Sequence, residues 1–272
     1  MISIRASSLD EFAACQRRFA AKWLIAAEHD WAKDLNRTRP SIGAIVGTAS
    51  HTGVAYLLNE LKRTGSHGGA LRVRHAKQAA AEEMHKEPPG PITTDDTTKT
   101  LAHGLVATHK IIDAYHHDVR HEHEPVIVER GLKLETMAAN TNYQLTGTMD
   151  SYLMDGTLED LKTGVRRPKP FAQIGAYSLL LKANENEVSG SKIRYAKRVG
   201  YNRQQPSIEA INMDITACER HALNIADQAA DGLARMLESG DPSHFIANPD
   251  MLCSEKYCPA WKSGFCVYGT MC

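Results

Sequence analysis

Asp150, Asp160 and Lys162 are the residues of this chain best suited to do chemistry together. Two carboxylates offer hard oxygen donors to Mg²⁺ or Mn²⁺, and such an ion lowers the pKa of bound water and neutralises phosphate charge. An ammonium beside them orients a nucleophile or stabilises charge on a phosphate under attack. A second set is made of thiols. Cys253, Cys258, Cys266 and Cys272 occupy the last twenty residues in a C-x₄-C-x₇-C-x₅-C spacing, and Cys15 lies near the start. Iron–sulfur clusters and structural zinc each take four thiolates, one fewer than these five cysteines supply.

The carboxylates need strands to bring them together. Val126 to Glu135, Tyr143 to Leu153 and Thr157 to Thr163 read as strands, with the turn signal Asp155-Gly156 between the last two. In a strand Asp160 and Lys162 share a face, while Glu159 and Leu161 point away. A two-residue loop would put Asp150 and Asp160 on opposite faces. A three-residue loop, Met154-Asp155-Gly156, sets 150 opposite 160, with Gly156 in the left-handed position, and this is the predicted connection. Glu129, on the strand before, is within reach of such a site, but nothing in the sequence singles it out.

The rest of the first half reads as helical. Ser8 and Glu11 form a capping box, opening a helix through Phe12, Phe19 and Trp23 with Cys15 inside it. Further helices are predicted over Gly43 to Lys62, Leu71 to His85 and Leu101 to Arg120. The prolines of Glu87-Pro88-Pro89-Gly90-Pro91 enforce a loop. After the carboxylate hairpin come a helix from Pro170 to about Lys182, strands over Lys192 to Val199 and Ser207 to Met213, and a long helix from Thr216 to Leu237, ended by Gly240-Asp241-Pro242. Helices before, between and after a few strands imply an α/β fold: a mixed central sheet with helical flanks, a helical N-terminal part and a cysteine-rich C-terminal tail. One domain over residues 1–272 is expected, with a sub-structure made by the N-terminal helix (about 8–27) and the tail (about 245–272). Cys218, inside the long helix, reads as a small buried hydrophobe.

At 42% hydrophobic residues the chain holds ample core, and no apolar run is long enough to span a membrane. The start, Met1 to Arg5, is too short and polar for a signal peptide, so a reducing cytoplasm is expected, where clustered cysteines bind metal more often than they pair. The formal net charge is zero. Two local basic patches, Arg166, Arg167 and Lys169 just after the carboxylates and then Lys192, Arg194, Lys197 and Arg198, read taken alone as solvated surface charge, and beside a hydrolytic site as phosphate contacts.

Five short motifs stand in order along the chain. Gly47-Thr48-Ala49-Ser50-His51 is a G-x-x-x-H element, Gly147-Thr148-Met149-Asp150 a G-x-x-D element and Asp160-Leu161-Lys162-Thr163-Gly164 a D-x-K-T-G element. Gln173-Ile174-Gly175-Ala176-Tyr177 is Q-x-x-x-Y, and Cys15 precedes Arg17-Arg18-Phe19. Together they resemble the PD-(D/E)XK nuclease superfamily, in its RecB-like branch with an iron–sulfur cluster, which includes phage exonucleases and CRISPR-associated adaptation nucleases. The resemblance implies a restriction-endonuclease-like fold and a metal-dependent DNA nuclease of the exonuclease kind, acting on single strands or ends in recombination, end processing or phage DNA metabolism. It implies that His51, Asp150, Asp160 and the Leu161 carbonyl hold Mg²⁺ or Mn²⁺, that Lys162 is catalytic, and that Gln173 and Tyr177 face substrate or Lys162. A small residue at Gly47, one turn before His51, lets the helix approach closely under the ligand face.

The resemblance further implies a [4Fe–4S] cluster on one N-terminal and three C-terminal cysteines. The preferred set is Cys15, Cys253, Cys258 and Cys266, with Cys272 in place of Cys253 as its rival and a zinc knot of the four tail cysteines as the alternative. Closing so long a loop costs only about 0.6 kcal/mol more per doubling of its length. A non-catalytic nucleic-acid-binding protein on the same fold is the competing function, and both homo-oligomers and recombination partner proteins stay open.

Overall fold

In the computed structural model, residues 1–86, 90–119, 122, 124–138 and 141–270 are described. Glu87, Pro88 and Pro89 of the expected loop, Arg120 at the expected helix end, and Cys272 lie outside them.

The sheet is organised around one long strand. β2 (Pro125–Ala138) and β3 (Thr141–Leu153) form an antiparallel hairpin along almost their whole length. The other edge of β3 is shared. β1 (Ile2–Arg5) runs parallel to Tyr143–Thr146, and β4 (Thr157–Gly164) pairs antiparallel with Ser151 and Tyr152. Gly147 to Asp150 therefore lie in a gap between two neighbours. β5 (Gly190–Lys197) continues the sheet parallel to β4, and β6 (Glu209–Met213) closes it antiparallel. The expected mixed sheet is present. β1 was not expected, because four residues are too few for a period-two pattern to register.

Helices cover both faces. α1 (Leu9–Ala14), α2 (Gln16–Ala26), α6 (Phe171–Ala183) and α7 (Ile215–Ser239) pack a core with Tyr143, Leu145, Leu158 and Ile193. α3 (Ile42–Thr64), α4 (Ala70–Met84) and α5 (Leu101–Asp118) pack the other with Leu161 and Ala196. Leu158 and Leu161 thus face opposite layers, as strand alternation requires. Helix ends follow the sequence: Ser41, Thr100 and Asp214 cap α3, α5 and α7 by accepting from Ala44, His103 and Ala217, and Gly65 and Gly240 end α3 and α7 at positive φ.

Two expectations fail at the N-terminus. Cys15 is not inside a helix but in the extended break between α1 and α2, at φ −156° and ψ 105°. The capping box does not form either: Ser8 Oγ donates to the Arg5 carbonyl, and Glu11 instead pairs with Arg18 and Lys22. The tail causes the break. The Arg17 N–H donates to the Ile246 carbonyl, and the Gln16 amide oxygen accepts from the Ile246 N–H, so a tertiary partner takes backbone bonding that a continuous helix would keep. Arg17, largely buried, also donates to the carbonyls of Phe245 (3.1 Å) and Phe265 (2.6 Å), and Arg18 reaches Asp250. The short α8 (Val267–Thr270) follows Cys266.

Candidate metal and catalytic site

The connection between β3 and β4 has three residues. Ser151 pairs Glu159 and Tyr152 pairs Leu158, so the register sets Asp150 opposite Asp160, and Gly156 takes φ +83°. The ladder stops there and the strands fork. Asp150 Oδ2 then accepts the Leu161 N–H at 2.6 Å, a side chain doing the work of the missing ladder carbonyl. Its Oδ1 lies 3.0 Å from His51 Nδ1, on α3.

The fork coincides with a slip in both strands of the hairpin. Tyr143, Leu145 and Met149 share a core with Tyr152, so the alternation of β3 shifts by one between 149 and 152. On β2, Ile127 and Leu132 show the same shift around Glu129, which holds φ +46°. A non-glycine residue at positive φ in a strand marks a bulge-like irregularity that re-aims side chains. Here it brings Glu129, His51 and Asp150 together, with potential ligand atoms all within 4.8 Å of one another. No sequence pattern singles out Glu129. Its only signal is a carboxylate at the place on β2 that registers opposite Asp150.

On the α6 side, Asp160 is buried at 1% exposure. Lys162 Nζ contacts both its oxygens, at 2.9 Å and 2.8 Å, yet Oδ2 has no hydrogen bond of good geometry. Gln173 donates to Asp160 Oδ1 at 3.5 Å and to the Tyr177 hydroxyl at 2.9 Å. Two glycines allow this packing. A Cβ on Gly147 would stand 2.7 Å from the Tyr177 ring, and one on Gly47 would stand 3.1 Å from Thr163 Oγ1.

The charges are strongly interdependent. Burial would push the His51 imidazolium down, but the Asp150 charge and hydrogen bond outweigh it and push it up to about 9. Burial pushes Asp160 up to about 6, against the pull of Lys162. Although Glu129 as a residue is exposed, desolvation of its carboxyl and then the Asp150 charge push it up to about 7. Burial opposes the charge on Asp150 too, yet His51, Lys162 and the Leu161 N–H hold it below the usual carboxylate range. Lys162 is raised: burial is overcome by Asp160 and Asp150. Tyr177 is raised by burial and then by Asp160, so its hydroxyl keeps its proton.

His51 and Asp150 thus gather with Glu129, while Asp160, one strand over, stands outside that close set, paired with Lys162 and with Gln173, which in turn reaches Tyr177. Leu161 enters through its N–H. Hard oxygens with one imidazole suit Mg²⁺ or Mn²⁺, and a buried carboxylate oxygen lacking a good donor is one that a cation would complete. The residues fit such an ion.

Residues 3–263 match the PD-(D/E)XK nuclease superfamily. The chain belongs to that superfamily. Its members are nucleases, and the mixed sheet flanked by helices agrees with that fold. Among solved structures, the chain is similar to a candidate exonuclease from Eubacterium rectale, with a TM-score of 0.53 and 13% identity over 87% of this chain and 81% of that one, a likeness of fold. A weaker similarity, TM-score 0.26 and 16% identity, covers 37% of this chain and 48% of the protein SSO0001. No curated protein matches the chain.

Within this superfamily member, two expected phosphate contacts are corrected. Arg194 is 2% exposed and paired with Glu159 (2.9 Å) and Glu122 (2.7 Å), and Arg198 is 5% exposed and paired with Asp95. Both guanidinium groups hold the fold together. Arg166, Arg167 and Lys169 remain on the loop after β4.

None of the five described cysteines is joined in a disulfide. Burial pushes the Cys258 thiol up to about 11, and Cys15 and Cys253 act on it electrostatically. Cys15 and Cys266 both act on Arg17. The sulfurs form no group within 4.8 Å among the described residues. Four thiolates on one zinc, at Zn–S distances of about 2.3 Å, would stand roughly 3.8 Å apart. Cys218 is buried against the α6–α7 contact, away from this set, as its hydrophobic reading requires.

Proposed function

We propose that this protein is a Mg²⁺- or Mn²⁺-dependent deoxyribonuclease of the exonuclease kind, acting on single strands or DNA ends in recombination, end processing or phage DNA metabolism. The observation that carries the reading is the fork between β3 and β4, where His51, Asp150, Asp160 and Lys162 converge.

His51, Glu129, Asp150 and Asp160, with the Leu161 carbonyl, would hold the ion. When bound, it supplies charge neutralisation at the scissile phosphate and a lowered pKa for water. The chain does the rest. Lys162, kept protonated by two carboxylates, donates to a phosphate oxygen or holds the attacking water in line. Gln173 donates to Asp160 and to Tyr177, fixing the carboxylate's orientation. Arg166, Arg167 and Lys169 supply phosphate contacts that position the strand.

The same reading gives the cysteines a [4Fe–4S] cluster on Cys15, Cys253, Cys258 and Cys266. What supports it is the docking of the tail beside Cys15, where Arg17 binds the Phe245 and Phe265 carbonyls and the Ile246 backbone. Its role here is a staple between α1–α2 and the tail. Zinc is the alternative, and iron and sulfide analysis of anaerobically purified protein, with loss of brown colour in Cys258→Ser, separates the two.

The deciding experiment digests end-labelled single- and double-stranded DNA with Mg²⁺ or Mn²⁺. Cleavage from the ends is expected, and Lys162→Ala should lose at least about 10²-fold in rate while remaining folded. Full activity in that variant removes the catalytic assignment, and no cleavage by the natural protein removes the nuclease reading.

A further inference from the structure

The helix carrying Gln173 and Tyr177 begins without a cap of its own. Pro170 stands at its N-cap, and Pro170 has no side-chain acceptor for the first N–H groups of α6. The acceptor comes from α1. Asp10 Oδ1 takes the Ala172 N–H at 3.0 Å, and Oδ2 takes the Gln173 N–H at 3.1 Å. One carboxylate, about 160 residues away in sequence, thus clamps the backbone of the residue whose amide faces Asp160 and Tyr177.

Asp10 is itself held from behind. Its neighbour Glu11 binds Arg18 (3.1 Å) and Lys22 (2.7 Å), and Arg18 goes on to Asp250 in the tail. Asp10 also contributes negative charge around Lys162. α1 is therefore a bracket with the cysteine-bearing tail on one side and the site helix on the other. Gln173 has little freedom once its own N–H is fixed, because its side-chain amide is shared between two buried partners.

We propose that Asp10 is a positioning residue of the site: by capping α6 from α1 it sets where Gln173 holds the Asp160 carboxylate. The inference rests on the nuclease reading for its rate effects but not for its structural ones. The test compares Asp10→Ala, Asp10→Asn, Gln173→Ala and the double variant Asp10→Ala/Gln173→Ala in the full chain. Hydrogen exchange of the amides of residues 172 and 173 should be faster in Asp10→Ala, and partly protected in Asp10→Asn, which keeps one carbonyl acceptor. On labelled DNA with Mn²⁺, kcat should fall roughly 10-fold with KM unchanged. The double variant should lose no more than Gln173→Ala alone, the signature of two residues acting through one contact. Additive losses, or unchanged exchange at those amides, overturn the proposal. If Asp10→Ala does not fold, Asp10→Asn and Asp10→Asn/Gln173→Ala carry the same comparison. If the natural protein cleaves nothing, the nuclease reading falls, and amide exchange alone still decides Asp10.

Discussion

Metal binding to this site should expel protons, and the charges around each ligand group indicate about how many. Coordination needs a neutral imidazole and ionised carboxylates. His51, pushed up to about 9 by Asp150, is almost wholly protonated at pH 7, so it gives up close to one proton. Glu129, at about 7, gives up about half, and Asp160, at about 6, about a tenth. About 1.6 protons should therefore leave for each Mn²⁺ bound at pH 7. Because the free site holds these protons and the loaded site does not, affinity must rise with pH. The slope of log affinity against pH should be about 1.6 at pH 7, about 1 at pH 8 and about half near pH 9. Titration calorimetry in buffers of different ionisation enthalpy reads the proton count directly. In His51→Ala the count at pH 7 should fall by less than one, because loss of the imidazolium also lets Glu129 and Asp150 hold protons more tightly. A count near zero, or proton uptake, would refute the coupling of His51 to Asp150 and, with it, this ligand set.

Two further predictions concern the frame around the site. Gly175→Ala would place a Cβ 2.0 Å from the Cys218 carbonyl oxygen and 2.7 Å from the Glu219 nitrogen, both backbone atoms, so α6 and α7 must separate. A loss of about 3 kcal/mol or more is expected in urea unfolding, and an unchanged midpoint would show that the helices part freely. Arg194→Ala leaves Glu159, 1% exposed, buried without its guanidinium. It should cost about 3–5 kcal/mol, or roughly 10 °C in melting temperature. A melting temperature equal to that of the natural protein would mean that the pair contributes nothing net.

What the sequence disclosed depended on how local each signal was. Asp155-Gly156 sets a hairpin register because a turn acts within a few residues, and the helices over 43–62, 101–120 and 216–237 are legible from their apolar positions, although that pattern does not disclose the caps Ser41, Thr100 and Asp214. The positions of His51, Asp150, Asp160 and Lys162 could be proposed from motif order, which carries long-range information that periodicity lacks. Cys15 defeated local reasoning: its helical surroundings are interrupted by Ile246, a partner from the far end of the chain. Glu129 was placed within reach but not chosen, because its approach to the site needs a shift of alternation in two adjacent strands, and a strict period of two predicts none. Arg194 and Arg198 looked like surface charges because their partners, Glu159, Glu122 and Asp95, are separated from them by 35 to 103 residues.

The tie between Arg17 and the tail sets a timetable for biosynthesis. The carbonyls of Phe245 and Phe265 are made 228 and 248 residues after the guanidinium that seizes them. At about 5–20 residues per second, a ribosome needs roughly 12–50 s to bridge that interval. Late in that wait α1 and α2 can rest on the sheet, α6 and α7, but the ties of Arg17 and Arg18 to the tail are missing. The bracket behind α6 is therefore the last part of the frame to close, after every strand of the sheet has been made.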